Sequence, residues 1–234
     1  MYDVHQREQK AQTMVAVLQD HFDIPLNGLR LLNVGSSTGI IDNYLADYFQ
    51  CVDGIDIDSN AIGYAKQSFR KNNLRFAVGD AMSLEFSDAT FDVVVCSQVY
   101  EHVPDATKMI GEIYRVLKPG GVCYFAAGNR LMWNEPHYGL PLLSVMPRAL
   151  AHIYLRMARG EKYYHEFHLT YWGLRQLVSQ FEVYDYTAKM VNHPEKFYVG
   201  YMLKSDSLKA WVAKIVAEYF YFLMPGYIWL LSKS

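Results

Sequence analysis

Five short apolar runs, at residues 30–34, 51–57, 74–78, 91–96 and 122–127, alternate along the chain with segments of helical spacing. The run Phe91-Asp92-Val93-Val94-Val95-Cys96 is the most restrictive, since near-continuous apolar character marks a strand buried on both faces. Strands separated by helices join through right-handed crossovers and form a parallel sheet covered on both sides. Two further strands are expected at 181–191 and 227–231, the last antiparallel. The expected fold class is therefore α/β, a doubly wound, mostly parallel seven-stranded sheet with a helical cap inserted after the fifth strand.

Punctuation along the chain supports this division. A helix over 5–22 precedes the first strand, and others are expected at 38–49, from Asp58 or Ser59 through Phe69, from Asp105, at 170–180 and at 208–222. Asp58 and Asp105 are good helix N-caps, and Lys118-Pro119-Gly120-Gly121 stops a helix and turns the chain into the fifth strand. The rhythm breaks after Ala127, and 128–170 hold no clear strand. The chain thus divides into a ligand-binding half (1–127), a cap (128–170) and a C-terminal part of the same sheet (171–234).

Composition narrows the partners. A formal charge of −2 lacks the basic footprint that nucleic-acid binding needs. Cys51, Cys96 and Cys123 show no CxxC spacing and read as buried thiols in a reducing compartment. The N-terminal residues do not resemble a signal peptide, and the apolar segment 219–231 is short and interrupted by Pro225-Gly226, so a cytoplasmic location is expected.

Four stretches carry chemistry. Leu31-Leu32-Asn33-Val34-Gly35-Ser36-Ser37-Thr38-Gly39 runs from a strand through a small-residue loop into a helix, the junction at which backbone approaches a nucleotide-like ligand. Asp56, at the end of the second strand, can accept hydrogen bonds from both hydroxyls of a ribose. Asp80, in Val78-Gly79-Asp80-Ala81-Met82, can accept from an adenine amine, and the next N–H can reach a ring nitrogen. Cys96-Ser97-Gln98-Val99-Tyr100-Glu101-His102 faces the same crevice from the fourth strand. Asp53, Asp56 and Asp58 lack further ligands to complete a metal shell, and no metal is expected.

In this order and spacing the four stretches resemble the class I S-adenosylmethionine-dependent methyltransferases, in particular the methyltransferase type-11 group, over about residues 31–127. The first motif departs from the family's usual pattern at Asn33, where an acid is common, and at Ser37, where a glycine is common. The resemblance implies a Rossmann-like methyltransferase fold and S-adenosylmethionine as cofactor, with S-adenosylhomocysteine as product. It implies that the loop with Asn33, Gly35, Ser36, Ser37 and Gly39 holds the methionine portion. Asp56 would take the ribose and Ile57 one adenine face; Asp80, with Ala81 and Met82, would meet the adenine edge, and Gln98 would lie beneath the cofactor.

A hydroxyl acceptor requires a base, and histidine is suited to that task. His168 is the first candidate, because the resemblance places a recurrent histidine there beside the acceptor, and His165 is the second. Trp133, His137, Tyr138 and Tyr164 are candidate substrate-lining residues. The expected substrate is a small molecule (natural product, sugar or lipid-linked intermediate), methylated on a hydroxyl. Two alternatives stand: a methyltransferase-like module that binds cofactor without catalysis, and a nicotinamide dehydrogenase, which would need a GxGxxG loop absent here. Residues 147–159 form an amphipathic helix with Leu150, Ile153, Tyr154 and Met157 on one side and Arg148, His152, Arg156 and Arg159 on the other. Five Arg or Lys stand against two Glu between Pro147 and Arg175. Such a helix is either a lid packed on the sheet or a peripheral contact with an anionic membrane.

Overall fold

The structure, a computed structural model, describes residues 3–161 and 163–234; Lys162, one of the five basic residues between Pro147 and Arg175, lies outside them. The chain opens with α1 (Val4–His21), whose N-cap Asp3 accepts the Gln6 N–H. Then β1 (Arg30–Val34), α2 (Ile40–Leu45), β2 (Cys51–Asp56), α3 (Ser59–Ser68), β3 (Leu74–Val78), β4 (Phe91–Ser97), α4 (Ala106–Val116) and β5 (Leu117–Gly128) follow. The cap holds a short antiparallel pair, β6 (Asn134–Glu135) and β7 (Leu140–Pro141), and α5 (Arg148–Arg159). The chain closes with α6 (Tyr171–Leu177), β8 (Glu182–Asp185), α7 (Thr187–Asn192), α8 (Leu208–Tyr219) and β9 (Gly226–Ser232).

Seven strands form one sheet in the order β3-β2-β1-β4-β5-β9-β8, parallel through β5 and antiparallel at β9 and β8. The period-2 alternation of β4 explains the two layers. Val94 and Cys96 pack against Met109, Ile110, Ile113 and Val116 of α4. Val93 and Val95 turn to the other face, with Met14, Val17 and Leu18 of α1 and Ile41 and Leu45 of α2. Each such buried side chain contributes about 1.5–3 kcal/mol. The Asp58 and Asp105 carboxylates accept the N–H groups of the first turns of α3 and α4, as their positions led one to expect.

Three local expectations need correction. The stretch read as one strand over 181–191 ends at Asp185, whose Oδ1 accepts the Thr187 N–H at 2.8 Å and starts α7. Thr187, Met190 and Val191 are buried at the i, i+3, i+4 spacing of a helix, which the weak alternation concealed. The cap does contain strands, but β6 and β7 are two residues each and too short to show a period. Finally, β5 begins at Leu117, so the Pro-Gly-Gly turn is a kink within the strand, where pairing with β4 shifts between Phe91 and Val93. No helix among the described residues is long and apolar enough to cross a membrane.

Candidate active site

The strand order reverses direction between β1 and β4, because the crossovers from these neighbours run to opposite edges of the sheet. In an open α/β sheet the crevice at the carboxyl ends of two such strands receives the ligand. The loop after β1 is drawn tight there, with the Gly35 and Ser36 N–H groups both donating to the Ile55 carbonyl at 2.9 Å. Gly35 has φ +82°, and a Cβ on it would stand 2.5 Å from Val99 Cγ2; Gly39 has φ +74°, and its Cβ would meet the Phe76 ring at 2.6 Å. Both glycines therefore let protein pack on protein, so that the loop can lie flat across the strand ends.

Asp56 fixes the loop from the other side. Its Oδ2 accepts the Ser37 N–H at 2.7 Å and its Oδ1 the Asp58 N–H at 2.9 Å. Each oxygen keeps a second lone pair for a ligand hydroxyl. Beneath the loop lies a polar set that the sequence did not reveal. Asp42 of α2 is fully buried, and its Oδ2 accepts from Asn33 Nδ2 at 3.0 Å and Ser36 Oγ at 2.9 Å. An acid thus stands beside Asn33 although it comes from the helix; the absence of an acid at position 33 was the available signal. Burial pushes the Asp42 carboxyl up to about 7, against the pull of these two hydrogen bonds.

The resulting cleft encloses 830 Å³ and is lined by Asn33, Gly35, Ser37, Asp56, Ile57, Asp80, Ala81, Met82 and Gln98. Ser36 and Gly39 do not line it: the Ser36 hydroxyl is turned to Asp42, and Gly39 packs against Phe76. Asp80 Oδ1 accepts the Met82 N–H at 2.8 Å, which shapes the loop after β3. Gln6, Arg7, Lys10 and Met14 of α1 cover the cleft, a role that spacing within one helix could not announce. A second cavity of 540 Å³ adjoins it and shares Lys10, Met14, Ser97, Gln98 and His137. Its remaining wall is largely apolar, with Tyr124, Ala126, Met132, Met190, Val199, Met202, Tyr227 and Ile228.

Where the cavities meet, six ionisable side chains converge: Glu101 and His102 after β4, and Glu135, His137, Glu166 and His168 from the cap and its exit. His137 Nδ1 is 2.6 Å from Glu135 Oε1, and this bond raises the histidine's pKa. Burial opposes ionisation of Glu135, yet the bonds from His137 and the Tyr138 N–H prevail and hold it below the usual range. Burial also pushes Glu101 up to about 7 and His168 down to about 4, and it lowers His102. His168 is therefore neutral near pH 7, with Nδ1 3.0 Å from the Tyr164 hydroxyl.

The candidates for catalysis and substrate lining are scattered differently. His137 lines both cavities. His168 lies in the cluster, buried beside Gly128, and lines neither cavity. His165 is exposed, and its carbonyl accepts from Arg148. Trp133 is 70% exposed, while Tyr138 and Tyr164 sit behind the cluster, bonded to Glu166 and His168.

The sequence profile of the methyltransferase domain family matches residues 32–125, the span that builds the cleft. Residues 32–125 are thus similar in sequence to methyltransferase domains. A ubiquinone biosynthesis O-methyltransferase of Coxiella burnetii is 32% identical over 109 residues, 46% of this chain and 47% of the relative. The chain thus matches about half the length of such curated relatives. The crystal structure of an S-adenosylmethionine-dependent methyltransferase from Mesorhizobium loti superposes with a TM-score of 0.60 at 14% identity, covering 94% of this chain and 97% of that one. A geranyl diphosphate C-methyltransferase from Streptomyces coelicolor, solved with Mg2+, geranyl diphosphate and S-adenosyl-L-homocysteine, gives 0.57 at 16% identity over 95% and 77% of the two chains. At these identities the superpositions speak for the fold.

S-adenosylmethionine, the cofactor on which the superposed methyltransferase depends, fits what the cleft offers. Asp56 would hold the ribose diol with its spare lone pairs, and Ile57, 74% exposed at the rim, would cover an adenine face. Asp80 and the loop after β3 would meet the adenine edge, and Gly35 and Ser37 would border the methionine portion.

The Asp42 set yields a pH prediction. Its folded-state pKa lies above the unfolded value, so the folded state holds the proton more tightly, and this stabilisation is lost as pH rises from about 4 to about 7. Asp42→Asn keeps an acceptor for Asn33 and Ser36 and should remove that slope. Urea unfolding should show the variant gaining on the wild type between pH 5 and pH 8, by up to about 3 kcal/mol at one pKa unit per 1.36 kcal/mol. Parallel pH profiles for the two proteins would contradict the burial of a strained carboxylate.

Proposed function

We propose that the chain is an S-adenosylmethionine-dependent methyltransferase acting, in the cytoplasm, on a hydroxyl of a small molecule with an apolar body, of the natural-product, sugar or lipid-linked kind. The observation that carries this reading is the junction of the two cavities at Gln98 and His137, which sets an apolar chamber against the cofactor cleft. The O-methyltransferase relatives agree with an oxygen acceptor. The bound cofactor supplies a methyl group already activated on a sulfonium. The protein's own part is to align the acceptor behind that carbon, and orientation of this kind supplies on the order of 7–11 kcal/mol.

Proton removal is the task of the histidine–carboxylate cluster as a unit, worth roughly 10²–10⁴-fold. His137 is the member that reaches the acceptor chamber, and His168, the base expected from the sequence, supports it from the buried side together with Tyr164.

The same reading extends to a peripheral membrane contact through α5. Ala151 and Leu155 face inward, while Leu150, Ile153 and Met157 are 55%, 53% and 83% exposed, so the apolar stripe points to solvent. Arg148 and Arg159 bond to carbonyls of Tyr164, His165 and Tyr138, which leaves the apolar stripe and the exposed Arg156 as the attraction. Sedimentation with vesicles containing anionic phospholipid should carry the wild type down, and Ile153→Glu with Met157→Glu should abolish this. Equal sedimentation of both proteins, or none of either, would remove the contact.

Titration calorimetry with S-adenosylhomocysteine tests the main reading. Binding is expected, and Asp56→Ala should weaken it by about 1.5–3 kcal/mol, the worth of a hydrogen bond to a charged group. No binding at millimolar ligand by folded protein would overturn the reading. Tight binding without transfer to any of a broad panel of hydroxylated acceptors would favour a cofactor-binding module instead.

A further inference from the structure

The acid–histidine cluster has a feature that proton transfer alone does not explain. Glu101 is 1% exposed, and neither of its carboxylate oxygens accepts a hydrogen bond. Glu166 Oε2 and His168 Nε2 are likewise buried and unpartnered. A buried carboxylate left without partners costs several kcal/mol, so a concentration of such groups at one point calls for a cation. Donor atoms of Glu135, His137 and His168 lie within 4.8 Å of one another, and so do those of Glu101, His102 and His137, the two sets sharing His137.

We propose that this cluster is a binding site for one divalent transition-metal ion, with Glu101, His102 and His137 as ligands. The hydrogen bonds around it favour that assignment. His137 is held through Nδ1 by Glu135 and so keeps Nε2 for the ion, and both oxygens of the buried Glu101 are unpartnered beside it. A carboxylate or hydroxyl on the far ring nitrogen is the usual support of a metal-binding histidine. Two imidazoles and one carboxylate suit Zn2+, Fe2+, Mn2+ or Co2+ better than Ca2+ or Mg2+, which prefer all-oxygen shells. The three ligands come from the loop after β4 and the turn between β6 and β7, so the ion would pin the cap to the sheet domain. Three protein ligands leave positions open, and His137 borders the acceptor chamber. If the ion serves catalysis, which rests on the methyltransferase reading, the acceptor carries an oxygen that binds metal, and the cluster acidifies that hydroxyl through the ion in place of a free imidazole.

The test uses the tag-free full chain, stripped with a chelator and titrated with Co2+ while visible absorption is followed. A band typical of nitrogen ligation should saturate at one equivalent and disappear when Zn2+ is added. His137→Ala, His102→Ala and Glu101→Gln should each weaken Co2+ binding on the order of tenfold or more, while the control His193→Ala binds as the wild type does. Circular dichroism checks folding; should the buried Glu101 variant unfold, the partly exposed His137 variant decides. No saturable band, or a band unchanged in folded His137→Ala, would overturn the site. S-adenosylhomocysteine calorimetry on the same stripped sample keeps the two readings apart, since loss of one signal leaves the other readable.

Discussion

The Asp56 carboxylate, bonded to the Ser37 and Asp58 N–H groups, is the constraint on which the cleft depends. It joins the loop after β1 to the end of β2, one step beyond the backbone bonds from Gly35 and Ser36 to Ile55. A single acid therefore shapes the loop and faces the ligand, and its charge is compensated by backbone dipoles before any ligand arrives. The glycines serve the same end by letting Val99 and Phe76 close against the loop.

Below that bridge, Asp42, Asn33 and Ser36 show how a variant of the first motif can be accommodated. The acid that the family resemblance leads one to expect on the strand is here supplied by α2 and joined to Asn33 by hydrogen bonding. The cost of burying it is relieved by partial protonation, since its pKa lies near neutrality. The departure at Asn33 thus keeps a carboxyl under the loop and argues against a domain whose cofactor site has decayed.

The sheet was legible because its signals are local. The apolar runs of β1 to β5, the caps at Asp58 and Asp105 and the small-residue loop each act within a few residues. What escaped was produced by distance in sequence. The acceptor chamber gathers Met14, Tyr124, Met190, Met202 and Tyr227 from five segments, whereas the aromatic residues near the cap, Trp133, Tyr138 and Tyr164, turned out to be exposed or bonded behind the cluster. The helix within 187–192 was hidden by six residues of ambiguous period. Glu101 gave no signal as an apolar-run neighbour, and only the return of the cap at residues 135, 137, 166 and 168 gives its burial a meaning.

On the proposed reading the cleft, the chamber and the cluster form one arrangement in which a donor lies across the strand ends and an acceptor meets it from the apolar chamber. The measurement that reaches this claim most directly is a crystal structure of the chain grown with S-adenosylhomocysteine. The ribose hydroxyls should lie on the Asp56 oxygens, with the thioether sulfur directed at the passage between Gln98 and His137. A nucleoside bound elsewhere, or one whose sulfur faces away from that passage, would contradict the account.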